Sequence, residues 1–174
     1  MRLSSLAVAL GVLLVGSAAR AENQVGAETE ADRVVGVGIV FGTGPDTVGL
    51  QGSGWFGIPA LRGLRVGGDV VVYLPYDKVN VDLFFLTINP GAQYVFEIPG
   101  VPVRPYAEAG LAIAFARESF PGGGSDTNTE LGLNLGGGVE YDAGFARIYG
   151  MLRYQFLGDN ADQLELGGGL RWAF

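Results

Sequence analysis

The sequence predicts an all-β protein, an eight-stranded antiparallel up-and-down transmembrane β-barrel. Apolar residues recur at every second position in segment after segment, which is the period of a strand with two different faces. Most of these segments come close to the 9–11 residues that a tilted membrane strand needs, and their number is even. No helical stripe follows the first 21 residues. The predicted strands are 34–41, 48–56, 64–74, 83–96, 105–115, 130–141, 146–156 and 164–174.

The first 21 residues have the composition of a secretory signal peptide. A basic start at Arg2 is followed by an apolar run over 6–15 and by the small-x-small site Ala19-Arg20-Ala21. The run is too short to cross about 30 Å of hydrocarbon, so we expect cleavage after Ala21. The predicted organisation is a signal peptide at 1–21, a flexible acidic periplasmic arm at 22–32 and the barrel at 33–174.

Composition narrows the possible functions. The 174 residues include 11 basic and 18 acidic side chains, 30 glycines, no cysteine and no histidine. An acidic balance disfavours nucleic acid as a partner. Without cysteine there are no disulfides or thiolate metal sites, and without histidine a serine nucleophile lacks its usual base. We therefore expect neither an enzyme nor a bound cofactor or metal.

Charged side chains fall on the face opposite the apolar residues in the predicted strands. An arginine turned to lipid at mid-bilayer costs about 2–4 kcal/mol, so these charges should point into the barrel. An eight-stranded barrel is only wide enough for its own side chains, so we interpret the charges as a salt-bridge plug. Glu130 is expected on the same face. The predicted network comprises Arg65, Asp69, Glu108, Glu140, Arg147, Arg153, Glu165 and Arg171.

Counting residues across the connections predicts individual neighbours. Glu140 should lie close to Arg147 across a turn at 142–144, Arg153 close to Glu165, and Arg171 beside Arg147. Small inward residues should leave room for the arginines, namely Gly67, Gly110, Gly136, Gly167 and Gly169.

The predicted connections differ in length. Longer outer loops are expected at 42–47, 75–82, 117–129 and 157–163, and shorter turns on the side of the N-terminus, which would then be periplasmic. Aromatic residues gather at strand ends, as expected of two girdles at the membrane boundaries. Tyr73 departs from the outward parity of its strand.

Three segments resemble the small outer-membrane β-barrels of Gram-negative bacteria, the OmpA/OmpX-like superfamily. They are Pro105-Tyr-Ala-Glu-Ala-Gly110, Leu131-Gly-Leu-Asn-Leu-Gly-Gly-Gly138 and Gly169-Leu-Arg-Trp172-Ala-Phe174. The resemblance implies an outer-membrane location and a monomer. It also implies that Trp172 and Phe174 are read by the barrel-assembly machinery, with periplasmic chaperones, membrane lipid and lipopolysaccharide as further partners.

Three roles remain open from the sequence. The first is a structural, non-enzymatic barrel with surface loops available for adhesion or ligand contact. The second is a small pore or receptor for small or apolar solutes, with Phe84 and Phe85 near its rim. The third is a soluble lipocalin-like carrier, which would place apolar side chains inside and polar ones outside.

Overall fold

The protein was analysed as a computed structural model that describes residues 33–74, 76–78, 81–119, 125–158 and 162–174. Side chains within 75–83 and 118–126 are not described. The predicted signal peptide and periplasmic arm lie outside the described residues. Within these ranges, no helix is long and apolar enough to cross a membrane.

The described chain forms one closed antiparallel sheet. The strands are β1 Arg33–Gly42, β2 Thr47–Gly57, β3 Leu64–Tyr73, β4 Tyr76–Lys78, β5 Val81–Val95, β6 Val103–Ser119, β7 Ser125–Asp142, β8 Arg147–Phe156 and β9 Gln163–Ala173. Each long strand pairs with the next long strand along the chain, and β9 pairs back with β1, which closes the barrel. The short β4 pairs with β5 and extends the hairpin between β3 and β5, so eight long strands form the wall, as predicted.

The two ends of the barrel are distinguished by the chain termini. The start of β1 and the end of β9 meet at one end, the terminal end, where Arg33 and Phe174 exchange backbone hydrogen bonds. The opposite end is the loop end. The terminal-end turns at 58–63 and 96–102 are longer than the loop-end connection at 43–46, so the expected difference in length does not hold for these described connections.

The predicted loop at 117–129 is also wrong, because β6 and β7 remain paired as far as Ser119 and Ser125. The β-branched residues Thr127 and Thr129 favour a strand, and the breakers of the Pro-Gly-Gly-Gly run fall within 120–124. The hairpin therefore projects at the loop end beyond β8, whose pairing with β7 begins only at Leu133.

The outward face is apolar, and the inward face carries the buried charged side chains together with some apolar ones. Leu131, Leu166 and Ile39 expose 68%, 60% and 59% of their surface, whereas Arg153 and Arg171 expose 2% and 1%. This arrangement is the reverse of that expected for a soluble lipocalin-like carrier, which has an apolar interior. Exposed aromatic residues gather at both ends: Phe56, Tyr94, Tyr141 and Trp172 at the terminal end, and Phe41, Tyr154 and Phe156 at the loop end.

Two of the inward glycines serve a different purpose from the one predicted. A Cβ on Gly67 or Gly110 would approach a carbonyl oxygen of the adjacent strand to within 2.0 or 2.2 Å, so these glycines permit close packing of strands. Gly136 does adjoin an arginine, because its Cβ would lie 2.9 Å from the Cβ of Arg153. Glycines of β1 also leave space for large interior side chains. A Cβ on Gly36 would lie 2.9 Å from Arg171 Cγ, and one on Gly38 would lie 2.2 Å from the Tyr149 hydroxyl.

Candidate functional site: the charged interior

One interior cluster gathers three carboxylates around a single arginine. Arg153 of β8 donates to Asp69 of β3 (Nη2 to Oδ1, 3.0 Å) and to Glu165 of β9 (Nε to Oε2, 2.8 Å). Its Nη1 lies 3.6 Å from Oε1 of Glu108 on β6. We call these four residues the acidic cluster. All four side chains are buried. Through these contacts one guanidinium group connects four different strands.

Neutral side chains add hydrogen bonds to the acidic cluster. Asn89 donates to Asp69 (3.0 Å) and Gln93 donates to Glu108 (2.8 Å). The Tyr73 hydroxyl donates to Glu165, which explains why this tyrosine departs from outward parity. A chain of amides then continues across the barrel, from Gln163 to Gln155 and from Gln155 to Asn89.

A second interior cluster has the opposite composition. Glu140 of β7 accepts from three arginines: Arg65 of β3 (3.0 Å), Arg104 of β6 (2.9 Å) and Arg171 of β9 (2.7 Å). We call these four residues the basic cluster. The Arg171 guanidinium also lies 4.1 Å from the centre of the Tyr149 ring, within the range of a cation–π contact.

The two clusters lie at different depths along the barrel axis. Three strands carry one residue of each cluster, so the order of the two residues along a strand gives their relative depth. On β3 and β6 the arginines come second and the carboxylates, Asp69 and Glu108, come sixth, counted from the terminal end. On β9, Glu165 precedes Arg171 on the way from the loop end to the terminal end. The basic cluster thus lies near the terminal end and the acidic cluster lies deeper. Four arginines and four carboxylates balance only when both clusters are considered together.

The structure brings together seven of the eight predicted network residues; Arg147 lies at the terminal rim. The pairing places Arg147 opposite Asp142 and Arg171, and Glu140 opposite Tyr149. The expected adjacency of Glu140 and Arg147 is therefore wrong. The turn spans 143–146 rather than 142–144, and Glu140 faces Tyr149, two residues beyond Arg147.

One residue matches its expected face and another was missed. Glu130 lies opposite the buried Ala114, on the inward face as predicted, and is half-buried near the loop end, where it accepts a hydrogen bond from Asn128 (3.1 Å). Arg104 was not predicted because it stands just before the predicted fifth strand, whereas β6 begins at Val103. Its position four residues from Glu108, and hence on the same face, was the signal that could have identified it.

Asn134 supplies a hydrogen bond where the ladder between β5 and β6 is interrupted. Proline has no N–H, and the β5–β6 ladder is interrupted where Pro90 faces Leu111. The Asn134 amide, on the inward face of β7, donates to the Leu111 carbonyl oxygen at 2.6 Å. The side chain therefore replaces the hydrogen bond that Pro90 cannot supply.

We expect Asn134→Leu to lower the free energy of unfolding by about 1–3 kcal/mol, because it leaves a buried carbonyl without a donor. The loss should be smaller in a Pro90→Ala background, since alanine restores the N–H opposite Leu111. Urea unfolding in lipid vesicles measures all four proteins of this double-mutant cycle. Equal losses in both backgrounds would contradict the role given to Asn134.

Comparison with known proteins supports the fold. No family model and no curated protein sequence matches the chain. Neisserial surface protein A is 24% identical, with a TM-score of 0.61 over 83% of this chain and 96% of that one. The N-terminal β-barrel domain of Pseudomonas aeruginosa OprF is 19% identical, with a TM-score of 0.66 over 83% and 98%. Ail, the attachment invasion locus protein of Yersinia pestis, is 19% identical, with a TM-score of 0.56 over 82% and 97%.

The closed eight-stranded wall and these similarities define the fold. The chain shares the fold of these small eight-stranded β-barrels, as the resemblance found in the sequence predicts.

Proposed function

We propose that this protein is a structural, non-enzymatic outer-membrane β-barrel whose interior does not conduct ions. The observation that supports the proposal most strongly is the pair of charged clusters, which fill the interior with buried, mutually bonded side chains. A barrel of this size has room for its own side chains but no wide aqueous channel. Charged side chains that form ion pairs across the barrel interior also oppose the passage of a hydrated ion.

The membrane placement follows from the exterior. Leucine, valine and isoleucine side chains face outward between two bands of exposed aromatic residues, as in barrels embedded in lipid. With the predicted signal peptide, the terminal end faces the periplasm. Trp172 and Phe174 then stand in the last strand, where we propose that the assembly machinery reads them. The protein is proposed to act as a monomer in contact with lipid and lipopolysaccharide.

Conductance measurements test the closed interior. The refolded protein, inserted in a planar bilayer, should show no steady single-channel current, while heat-modifiable gel mobility verifies that the barrel is folded. A steady current from folded protein would instead support the alternative of a small pore. Phe85 packs against Tyr73, with ring centres 5.4 Å apart, and so narrows the loop end above the acidic cluster.

A contact role at the cell surface is favoured by one further observation. Residues 128–132 of β7 are paired with β6, and within the described ranges their pairing with β8 begins only at Leu133. A strand edge of this kind can pair with an extended segment of another protein.

We expect Thr129→Lys, which adds charge along this edge, to reduce the adherence of expressing bacteria to epithelial cells. Antibody staining should verify equal surface display of the variant and the unchanged protein. Adherence that is unchanged at equal display would contradict the contact role.

A further inference from the structure

The three terminal-end turns display exposed apolar side chains. Phe145 of the β7–β8 turn is 72% exposed, and Leu61 of the β2–β3 turn is 56% exposed. Ile98 and Val101 of the β5–β6 turn are exposed as well. We call these four residues the turn patch. Turns that face water are normally polar, yet only two of the residues in these three turns are charged.

The turn patch continues the apolar outer wall. At the end of β5 the exposed rings of Tyr94 and Phe96 are in contact, with centres 4.9 Å apart, and Ile98 follows at the same two-residue spacing. The three turns and the meeting point of β1 and β9 lie at four positions around the barrel, and the last of these carries the exposed Phe174. Apolar side chains are thus present on every side of the terminal end. A protein partner would cover one side, whereas lipid surrounds a barrel.

The height of the wall brings the turns to the membrane boundary. The outward apolar side chains of β2 and β8 extend over runs of nine residues, 48–56 and 148–156. At about 3.3 Å per residue and a tilt of about 40°, such a run spans about 20 Å, less than the apolar band of about 25 Å in membrane barrels. The turns at 58–63 and 143–146 adjoin the terminal ends of these two strands. Leu61 and Phe145 are therefore placed to supply the missing apolar height.

The backbone of the turns suits a medium with little water. The Ile58 N–H donates to the Leu64 carbonyl and the Leu61 N–H donates to the Ile58 carbonyl, both at 2.9 Å. In the longer turn the Val101 N–H donates to the Ile98 carbonyl at 3.2 Å. Three residues of these turns have no N–H at all, namely Pro59, Pro99 and Pro102. Because an unsatisfied backbone group is costly in lipid, turns that satisfy part of their own backbone enter the membrane boundary at lower cost.

We propose that the turn patch inserts into the lipid leaflet at the terminal end, where its four side chains contact the glycerol backbones and the upper acyl chains. The occupant of this surface is phospholipid and not a periplasmic protein. The two charged residues of the turns, Arg62 and Glu97, reach the hydrated headgroups from the same level. The inference rests on the membrane placement proposed above. It adds that the terminal end lies within the membrane boundary instead of projecting into water.

Single tryptophans measure the depth of the turns. In nanodiscs, whose two faces are both open to solution, Phe145→Trp is studied in protein in which Trp55 and Trp172 are changed to phenylalanine. We expect phospholipid brominated near the carboxyl end of its acyl chains to quench most of the emission, and aqueous acrylamide to quench little of it. Asn128→Trp, exposed on the projecting hairpin at the loop end, is the control and should show the opposite. Equal quenching of the two reporters by acrylamide would overturn the proposal.

Introduced thiols test the same depth without an aromatic probe, which itself favours the membrane boundary. The chain has no cysteine, so Leu61→Cys and Phe145→Cys each carry one reactive site. A charged maleimide should label them about tenfold more slowly than Asn128→Cys, because apolar surroundings suppress the thiolate that reacts. Labelling as fast as that of Asn128→Cys would contradict insertion and would favour a protein as the occupant.

Trp172 separates this inference from the membrane placement. In Trp55→Phe protein, Trp172 reports on the outer wall. If lipid quenches Trp172 while only acrylamide quenches Phe145→Trp, the inserted turns are rejected and the membrane placement stands. If lipid quenches neither reporter, the membrane placement itself fails. Heat-modifiable mobility verifies that each variant is folded before these measurements.

Discussion

Replacing Arg153 with methionine should lower the free energy of unfolding by about 3–5 kcal/mol, the range for breaking a buried ion pair by removing one partner. The effect is large because Arg153 is the shared partner of Asp69, Glu108 and Glu165, which would remain buried together without it. Equilibrium urea unfolding in lipid vesicles, followed by tryptophan emission, measures the loss.

Two comparisons show whether the loss comes from uncompensated charge. Arg62→Met removes an exposed arginine and should change the stability by less than about 0.5 kcal/mol. Adding Asp69→Asn and Glu165→Gln to Arg153→Met should recover much of the loss, because Glu108 is then the one carboxylate of the acidic cluster that stays charged. If the triple variant is less stable than Arg153→Met alone, carboxylate repulsion does not cause the defect.

Glu140→Gln should destabilise the barrel by a similar amount, about 3–5 kcal/mol. The substitution keeps the size of the side chain but removes the negative charge shared by Arg65, Arg104 and Arg171. Three guanidinium groups would then be left close together near the terminal end. The same urea unfolding assay measures the effect, with Glu97→Gln in an exposed turn as the matched control.

The basic cluster offers its own test of coupling. Arg104 is the most exposed of its three arginines, and Arg104→Met in the Glu140→Gln background should be less damaging than in the unchanged protein. The reason is that the ion pair between Arg104 and Glu140 is already lost in that background, while the Arg104 charge still repels those of Arg65 and Arg171. Additive losses from the two substitutions would show that Arg104 and Glu140 are not coupled.

The alternating pattern was sufficient to predict the architecture. An alternation of apolar and polar residues with a period of two identifies strands and also assigns each residue to a face. The residues Arg65, Asp69, Arg153 and Glu165 could therefore be placed inside the barrel before any partner was known. Nearest neighbours across the β8–β9 connection were predictable as well, and the register places Arg153 opposite Glu165.

Partners across the barrel were not predictable. Asp69 and Arg153 are in contact although they are 84 residues apart in the sequence. Which residues face each other across a barrel depends on the stagger of every strand that lies between them. A single error in turn length displaced the expected partner of Arg147. The role of Asn134 could not be predicted for a different reason. It depends on the N–H that Pro90 lacks, and Pro90 lies on β5, two strands away from β7 in the wall.

The central claim is that apolar side chains face lipid while polar and charged ones face a closed interior. The two tryptophans test it, because Trp55 points inward with 3% exposure and Trp172 points outward with 38%. Trp55→Phe and Trp172→Phe each leave a single reporter for quenching by brominated phospholipid in vesicles. We predict that Trp172 loses most of its emission and that Trp55 keeps most of its own. Equal quenching of both tryptophans in folded protein would contradict the inward and outward assignment of the whole barrel.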